Sequence, residues 1–376
     1  MKLRFHWMLP KAGEVSLDAP QSSPATARYR REALLRASPA ACPDMDGWTR
    51  FARRAEESGI DSVLIALNSH EPDPLVVSCA LGQVTRNLKF IVAYRAGLVQ
   101  PTSFVHQINT LSTLIQGRVA VNLIADDSLA EHRGYGDFLD HDAQAERNHE
   151  FLTICSAFWG NGGSEVSFEG RHYQVEKAKL HTPFLAQDRQ APEIYVSGDS
   201  TGAERLALAG SACLLRVADN PQKLRSWTGA LRSQGIEVGL KLSVICRPTR
   251  AEAVSVAQSL SPQVNQATAQ TVAHKGDSQI SREASAKKSS ENGWLTQSLW
   301  AGLHPHYGSE QTALVGTPED IACALLEYET IGVTQFIMSG WPAIDELTNF
   351  GRHVLPLVRE GEEKLKTLAA NWSGDN

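Results

Sequence analysis

A run of small and hydroxyl residues, Ser197-Gly198-Asp199-Ser200-Thr201-Gly202-Ala203, stands between a short apolar segment and a helix-like segment that starts near Glu204. Small residues allow backbone N–H groups to approach an anion, and a helix N-terminus favours negative charge. The hydroxyls of Ser200 and Thr201 can donate further hydrogen bonds. The spacing therefore indicates a phosphate-binding turn, although the same residues also suit an ordinary helix N-cap. Asp199 is compatible with a bound phosphate only if it caps the helix and points away.

A second candidate is the polar segment from Asn68 to Pro74, which follows a predicted strand and contains His70 and Glu71. Because an imidazole titrates near neutral pH, His70 could act as a general base or orient a reacting group. The alternative is a solvated loop pair beside Asp73, which would cap the next helix. The sequence leaves both interpretations open.

Two adjacent carboxylates, Asp126 and Asp127, follow another predicted strand that includes Asn122 and continues to Ala125. A catalytic role is conceivable for these carboxylates. Turn formation or helix capping explains them at least as well, since aspartate is common at such positions.

Eight short apolar runs, most of them followed by a helix-like stretch, supply the elements that would position these residues. They are Leu3–Leu9, Ser62–Leu67, Leu88–Tyr94, Val119–Ile124, Glu193–Val196, Ala212–Val217, Leu240–Cys246 and Gln335–Ser339. Strands that alternate with helices imply βαβ units and a parallel sheet. Eight such units predict an α/β fold, a closed (β/α)8 TIM barrel, with the active site at the carboxyl ends of its strands.

Three stretches are too long for ordinary connections, and we interpret them as insertions into a single barrel domain that spans 1–376. They lie near 14–46, 160–182 and 255–305. Alternation on both sides of Glu169-Gly170 predicts a small hairpin in the second insertion. The segment Val264–Asn292 is poor in large apolar residues, so we expect a mobile lid there.

The composition excludes several classes of protein. The 376 residues carry a net charge of −6, which provides no basic field for nucleic acid or anionic lipid. We expect no transmembrane segment and no signal peptide, and hence a cytoplasmic enzyme. The six cysteines stand singly, and His304 and His306 lack a third ligand, so no metal site is predicted.

Several motifs, in this order and spacing, resemble those of the bacterial luciferase-like flavin monooxygenases, most closely the alkanesulfonate monooxygenase branch. The motifs are Phe5–Pro10, Val84–Phe90, Gly117–Ile124, Phe138–His141, Phe168–Val175, Tyr195–Ser200, Leu299–Gly302, Leu314–Pro318 and Ser339–Pro342. The resemblance spans nearly the whole chain, and no single motif is decisive.

The resemblance implies a barrel that binds reduced FMN supplied by a separate flavin reductase. In that family O2 reacts with the flavin to give a C4a-peroxide, which oxygenates a small-molecule substrate. The resemblance places Asn122 and Ala125 beneath the flavin ring, and Ser197, Gly198, Ser200 and Thr201 around its phosphate. It also implies a homodimer or homotetramer.

The chain departs from the branch at the positions that face the substrate. The branch's histidine after the first strand falls on Ala12, and its cysteine after the second falls on or next to His70-Glu71. Its Arg-x-His on the seventh strand becomes Lys241-Leu242-Ser243, and its tyrosine after the eighth becomes Trp341. Because lysine replaces a bidentate arginine, the sulfonate clamp is mostly lost. We therefore expect His70, Glu71, Lys241 and Trp341 to serve a substrate other than a simple alkanesulfonate.

Two other functions remain open. The same superfamily contains deazaflavin-dependent oxidoreductases that transfer hydride. The substitutions Ala12, Ala125, Ala145 (where the family tends to place a tyrosine near the phosphate) and Ser243 would also suit a binding paralogue without redox turnover.

Overall fold

A computed structural model describes residues 2–11, 45–69, 71–126, 129–260, 293–302 and 312–373. His70, Ala12, His304, His306 and the predicted lid Val264–Asn292 lie outside these ranges. The described strands are β1 Arg4–Met8, β2 Ser62–Ile65, β3 Lys89–Tyr94, β4 Val119–Ile124, β5 Val166–Glu169, β6 Gln174–Ala178, β7 Glu193–Ser197, β8 Cys213–Val217, β9 Val238–Cys246, β10 Leu299–Trp300, β11 Ala313–Gly316 and β12 Val333–Gly340.

Eight of these strands close into a parallel barrel. The order around the barrel is β1, β2, β3, β4, β7, β8, β9, β12, and β12 pairs with β1 to complete the ring. Each of the eight predicted apolar runs is one of these strands, so the (β/α)8 prediction is confirmed.

Helices join the strands as the sequence pattern predicts. They are α1 Met45–Glu57, α2 Pro74–Gly82, α3 Pro101–Leu114, α4 Leu129–Gly134, α5 His141–Gly160, α6 Thr201–Ala209, α7 Pro221–Ser233, α8 Arg250–Leu260, α9 Pro318–Thr330, α10 Ala343–Asn349 and α11 Leu355–Ser373, with a π-helical turn over Phe350–Val354. Side-chain caps fix several starts: Asp140 accepts from the Ala143 N–H, and Thr317 forms a reciprocal capping box with Asp320. None of the described helices is long and apolar enough to cross a bilayer.

Alternation along the strands divides the core into two parts. Inward residues such as Leu64, Ile91 and Ile337 pack inside the barrel, whereas outward residues such as Phe5 and Trp7 pack against the helices. His6 points inward, where its ring meets Tyr195 edge to face. The barrel is therefore filled by side chains and is not an open channel.

Two short strands, β10 and β11, were not predicted as part of the sheet. β8 pairs with β9 only as far as Lys241, and β11 then pairs with Ser243–Cys246 at the carboxyl end of β9. β10 runs antiparallel to β11. A strand of two residues such as β10 is too short to show an alternating pattern.

The hairpin predicted around Glu169-Gly170 is present as β5 and β6, which pair antiparallel. The three backbone N–H groups of Arg171, His172 and Tyr173 donate to the Glu150 carboxylate of α5 over 2.8–3.0 Å. The hairpin is thus attached to α5 by a charged acceptor.

Candidate functional site

Most of the predicted site residues lie in the loops at the carboxyl ends of the barrel strands. The Ser197–Ala203 segment follows β7, Ala125 and Asp126 follow β4, and Glu71 lies in the loop after β2. In (β/α)8 barrels this is the face on which active sites are built. The structure therefore brings loops from distant parts of the chain to one end of the barrel.

The turn between β7 and α6 is an anion-binding turn that already holds a carboxylate. The Asp199 and Ser200 N–H groups both donate to Asp126 Oδ2 over 2.7 Å, and Ser200 Oγ donates to Asp126 Oδ1 over 2.6 Å. Ser200 Oγ also accepts from the Ala203 N–H over 3.1 Å as the cap of α6. Three donors therefore converge on one carboxylate at a helix N-terminus.

Gly198 is needed for this arrangement. A Cβ at position 198 would lie 2.6 Å from Asp126 Oδ2 and 2.7 Å from the Ala203 Cβ. Because such contacts are far inside van der Waals range, any side chain there would displace the carboxylate or α6. The small residue is thus required by the close approach of an anionic group.

Asp199 points away from this turn. Its Oδ1 accepts from Arg216 Nε over 2.6 Å, and the guanidinium of Arg216 also lies over the Trp227 ring, 4.5 Å from its centroid. The Asp199 charge is therefore neutralised outside the donor set. The side chain thus points away from the turn, as the sequence required, but the prediction that it caps the helix is wrong, because Ser200 is the cap of α6.

The donor set of the turn fits a phosphate-bearing cofactor. Two backbone N–H groups and one hydroxyl already coordinate an oxyanion, and a phosphate oxygen needs donors of the same kind. The Cβ of Ala145 on α5 lies 3.6 Å from where a Cβ on Gly202 would be, so a small side chain borders the turn there. The turn therefore suits a phosphate oxygen, and this oxygen would take the position that the Asp126 carboxylate holds.

Asn122 and Ser197 form the floor beside this turn. Ser197 Oγ donates to Asn122 Oδ1 over 2.8 Å, and both side chains are buried. The Ala125 N–H donates to the Ser197 carbonyl over 2.9 Å, so the ends of β4 and β7 stay together beyond the sheet. The six predicted cofactor residues are thus contiguous in space, from Asn122 and Ala125 to the 197–201 turn.

The loop after β2 joins the loop after β4 through a chain of contacts. Ser69 Oγ donates to Glu131 Oε1 of α4 over 2.9 Å, and Glu131 Oε2 lies 3.5 Å from Arg95 of the loop after β3. Glu71 is half-buried in this loop. Asp73 accepts from the Leu75 and Val76 N–H groups, which confirms that it caps α2.

A pocket of about 360 Å³ opens between the loop after β3 and the α4–α5 region. Its walls come from 95–98, from the 135–139 link, from His132 and from Arg147. Phe138 is 77% exposed, and Tyr135 has the Arg95 guanidinium 5.5 Å from its ring centroid. The pocket combines aromatic surface with buried cations.

The charged wall of the pocket is a cluster of Asp137, His132 and Arg147. Asp137 Oδ2 accepts from His132 Nδ1 over 2.8 Å and from Arg147 Nη2 over 2.6 Å. Burial alone would raise the pKa of Asp137, but the hydrogen bonds from Arg147 and His132 lower this pKa to about 2. Arg147 Nε and His132 Nε2 are buried without a hydrogen-bond partner among the described residues. The wall thus retains hydrogen-bonding capacity.

Sequence reasoning did not identify this cluster. Gly97, with φ +97°, lets Arg147 pack against the loop after β3: a Cβ there would lie 2.6 Å from the guanidinium. The only signal was Phe138-Leu139-Asp140-His141, used above as part of the resemblance. Single charged residues spaced along a chain give no indication of their contacts.

Lys241, Ser243 and Trp341 lie on the β9–β12 side of the barrel. Lys241 is paired in register with Val217 and Ile337 and is half-buried, and its ammonium has no ion pair with a described residue. Ser243 Oγ lies 2.8 Å from Ser339 Oγ. Trp341 packs against the apolar cluster around Ile245 and Trp300. These residues are therefore grouped on two adjacent strands, with Trp341 in a wall position.

Comparison with known proteins agrees with the barrel fold and identifies its family. Residues 3–335 match the family model described as luciferase-like monooxygenase. Among solved structures, the chain is similar to an EDTA monooxygenase from Chelativorans sp. BNC1, with 16% identity, a TM-score of 0.71 and coverage of 96% of this chain and 95% of that one. A riboflavin lyase with modified FMN and substrate riboflavin matches at 16% identity and a TM-score of 0.70, with coverage of 96% and 92%. An F420-dependent secondary alcohol dehydrogenase matches at 16% identity and a TM-score of 0.62, with coverage of 95% and 99%.

Proposed function

Since the chain belongs to the luciferase-like monooxygenase family, we propose that it is a two-component monooxygenase. It would take reduced FMN from a separate flavin reductase and use O2 to oxygenate a small organic substrate. In the balanced reaction one oxygen atom enters the substrate, the other leaves as water, and FMN is released oxidised. The observation that carries the proposal is the oxyanion-binding turn after β7 beside the Asn122–Ser197 floor.

This geometry supports the proposed cofactor-binding roles. The N–H groups of Asp199 and Ser200, with the hydroxyls of Ser200 and Thr201, would hold the phosphate. Ser197 and Gly198 would also lie around the phosphate, and Asn122 and Ala125 would lie beneath the ring. When bound, reduced flavin supplies the two electrons that activate O2, and the protein holds it and excludes water.

The pocket beside Arg95 and Arg147 is the proposed substrate site. Its aromatic mouth at Tyr135 and Phe138 suits an apolar body, and the two buried cations suit a polar or anionic end. Lys241 and Trp341 would border the substrate from the opposite side of the barrel. His70 and Glu71 would provide general acid–base groups. Because Lys241 replaces the bidentate arginine of the branch's sulfonate clamp, simple alkanesulfonates should be poor substrates.

A deazaflavin-dependent hydride transfer is the second candidate. It is favoured by the similarity to an F420-dependent alcohol dehydrogenase at a TM-score of 0.62. A phosphate-binding turn alone does not separate the two cofactors, since both carry phosphate. The substitutions Ala125 and Ala145 support a third candidate, a binding paralogue without redox turnover.

An anaerobic titration tests these functions together. We expect saturable binding of reduced FMN, followed on air exposure by O2 consumption that depends on both flavin and an added substrate. Short and medium alkanesulfonates should release little sulfite. Preferential binding of reduced F420 would replace the proposal with hydride transfer. Binding of neither cofactor would favour a redox-inactive paralogue.

A further inference from the structure

The carboxylate of Asp126 occupies the oxyanion position of the turn after β7. Asp126 follows β4, and it takes both N–H donors of the turn on one oxygen and the Ser200 hydroxyl on the other. It is an exposed residue at the mouth of the barrel, not a buried structural group. The same donors are those that a phosphate would need.

A phosphate and the Asp126 carboxylate cannot share these donors. Each N–H makes one strong hydrogen bond, and two anions in contact repel each other. Among the described residues, the Arg216 guanidinium beside the turn offers little compensation, because it already pairs with Asp199 and lies 3.7 Å from Glu204. Phosphate binding must therefore displace Asp126 from the turn.

We propose that Asp126 is an internal competitor for the phosphate subsite and sets the preference between phosphorylated and unphosphorylated flavin. This rests on the proposed function only in naming the flavin. The competition lowers affinity for FMN and leaves affinity for riboflavin unaffected, since riboflavin has no phosphate to place in the turn. The natural protein then discriminates weakly between the two flavins and releases FMN readily.

The alternative is that Asp126 only fastens the two loops together. Removing its charge would then loosen the turn and weaken the binding of any phosphate. Competition predicts the opposite sign, because the donors become available. Asp126→Asn distinguishes the two, since the amide oxygen can still accept from the turn while the negative charge is gone.

The experiment compares the wild type, Asp126→Asn and Asp126→Ala with Asp188→Asn as the matched control. Asp188 is an exposed aspartate that pairs with Arg189 before β7, at the amino end of the strand and away from the turn. Its variant makes the same change in net charge. Anaerobic dissociation constants for reduced FMN and reduced riboflavin are measured, together with the shift in Tm caused by inorganic phosphate.

We expect Asp126→Asn to raise the preference for FMN over riboflavin by at least about tenfold, with the riboflavin affinity unchanged. Inorganic phosphate should stabilise this variant and have little effect on the wild type or on Asp188→Asn. Asp126→Ala should behave like Asp126→Asn if its turn stays folded.

An unchanged or reduced FMN preference in Asp126→Asn would overturn the proposal, as would strong phosphate stabilisation of the wild type. If neither flavin binds to any variant, the proposed function fails. The phosphate-induced shift in Tm then still decides whether Asp126 competes for the turn.

Discussion

Ser200 carries two hydrogen bonds on one hydroxyl. Its Oγ accepts from the Ala203 N–H at the start of α6 and donates to Asp126. The sequence left open whether this residue is a helix cap or an anion ligand. The structure shows the cap, and the contact with Asp126 shows that the same hydroxyl can also hold an oxyanion.

Replacing Ser200 should therefore lower both the stability of the protein and its affinity for reduced FMN. Replacing Thr201, which is not the cap of α6, should lower the affinity with little effect on stability. Ser200→Ala should lower the free energy of unfolding by about 1 kcal/mol, because α6 loses its cap. Thr201, which is exposed at the first helical position, should change stability by less than about 0.5 kcal/mol when replaced by Ala. Together the two changes should weaken binding of reduced FMN by roughly 1–3 kcal/mol. Urea unfolding and anaerobic titration measure these effects, and an unchanged FMN dissociation constant would refute the ligand role.

Asp137 gives a second prediction at the scale of one residue. The pKa of its carboxyl is about 2 in the folded protein, below the ordinary value of 3.8. A carboxyl whose pKa is lowered by folding stabilises the folded protein at any pH above the pKa that it has in the unfolded chain. This stabilisation is lost as pH falls from about 4 through 2. Asp137→Asn should cost about 2 kcal/mol at pH 7 and remove that part of the acid sensitivity. Urea unfolding between pH 2 and 7 measures it, and parallel curves for both proteins would contradict the assignment.

At the scale of elements, the β5–β6 hairpin depends on a single side chain of α5. Glu150 accepts the N–H groups of Arg171, His172 and Tyr173, and these bonds lower its carboxyl pKa even though burial acts in the opposite direction. Alternation predicted the hairpin, but it gave no information on what holds it to the barrel.

Replacing Glu150 by Ala should release the hairpin turn without unfolding the barrel. Three charge-assisted bonds are lost, so local opening at 170–173 should become easier by about 2 kcal/mol. Hydrogen exchange at these amides measures the change. Glu146→Ala is the control, because Glu146 pairs with Arg171 while half-exposed, and such a pair contributes little. Equal protection in Glu150→Ala and the wild type would show that the hairpin is held by apolar packing instead.

At the scale of the whole molecule, a polar network closes the amino end of the barrel. Glu193 accepts from Lys89 over 2.9 Å and from Arg4 over 3.3 Å, and Arg4 also bonds Glu237. His6 Nε2 lies 2.9 Å from Gln335 Oε1 in the layer above, and Gln335 bonds Glu237. Five barrel strands or their approaches meet in this network, so its state affects the stability of the entire fold.

His6 makes that stability sensitive to pH. Burial lowers its pKa from 6.5 to about 4, which favours the neutral ring in the folded protein. As pH falls from 6.5 to 4, the unfolded chain takes up a proton that the folded protein does not, so stability should fall by about 3 kcal/mol. In His6→Gln, this part of the pH dependence of the free energy of unfolding should be absent, and only the contribution of other groups should remain. His149→Gln, which replaces an exposed histidine, should show the same pH dependence as the wild type. Urea unfolding at pH 4 to 7 provides the measurement, and a wild-type slope retained in His6→Gln would assign the sensitivity to another group.

The sequence by itself determined the barrel and its local signals. Eight apolar runs, the caps Asp73 and Ser200 and the hairpin at Glu169-Gly170 all depend on residues close together in the chain. One of the motifs that carry the family resemblance, Gly117–Ile124, also has a structural role. Its Arg118 donates to the Gly82 and Leu88 carbonyls and so fastens the turn before β3. Periodicity and capping act over a few residues, which is why they can be recognised without a fold.

Only the tertiary structure decided which charges meet. Asp126 and Ser200 are separated by 74 positions, and they touch because β4 pairs with β7 after the chain has passed through α5 and the hairpin. Arg95, His132 and Arg147 meet in the pocket wall for the same kind of reason, since they come from three different parts of the fold: the loop after β3, α4 and α5. An ion pair depends on the distance between side chains, and that distance is fixed by strand order and helix packing, not by spacing along the sequence.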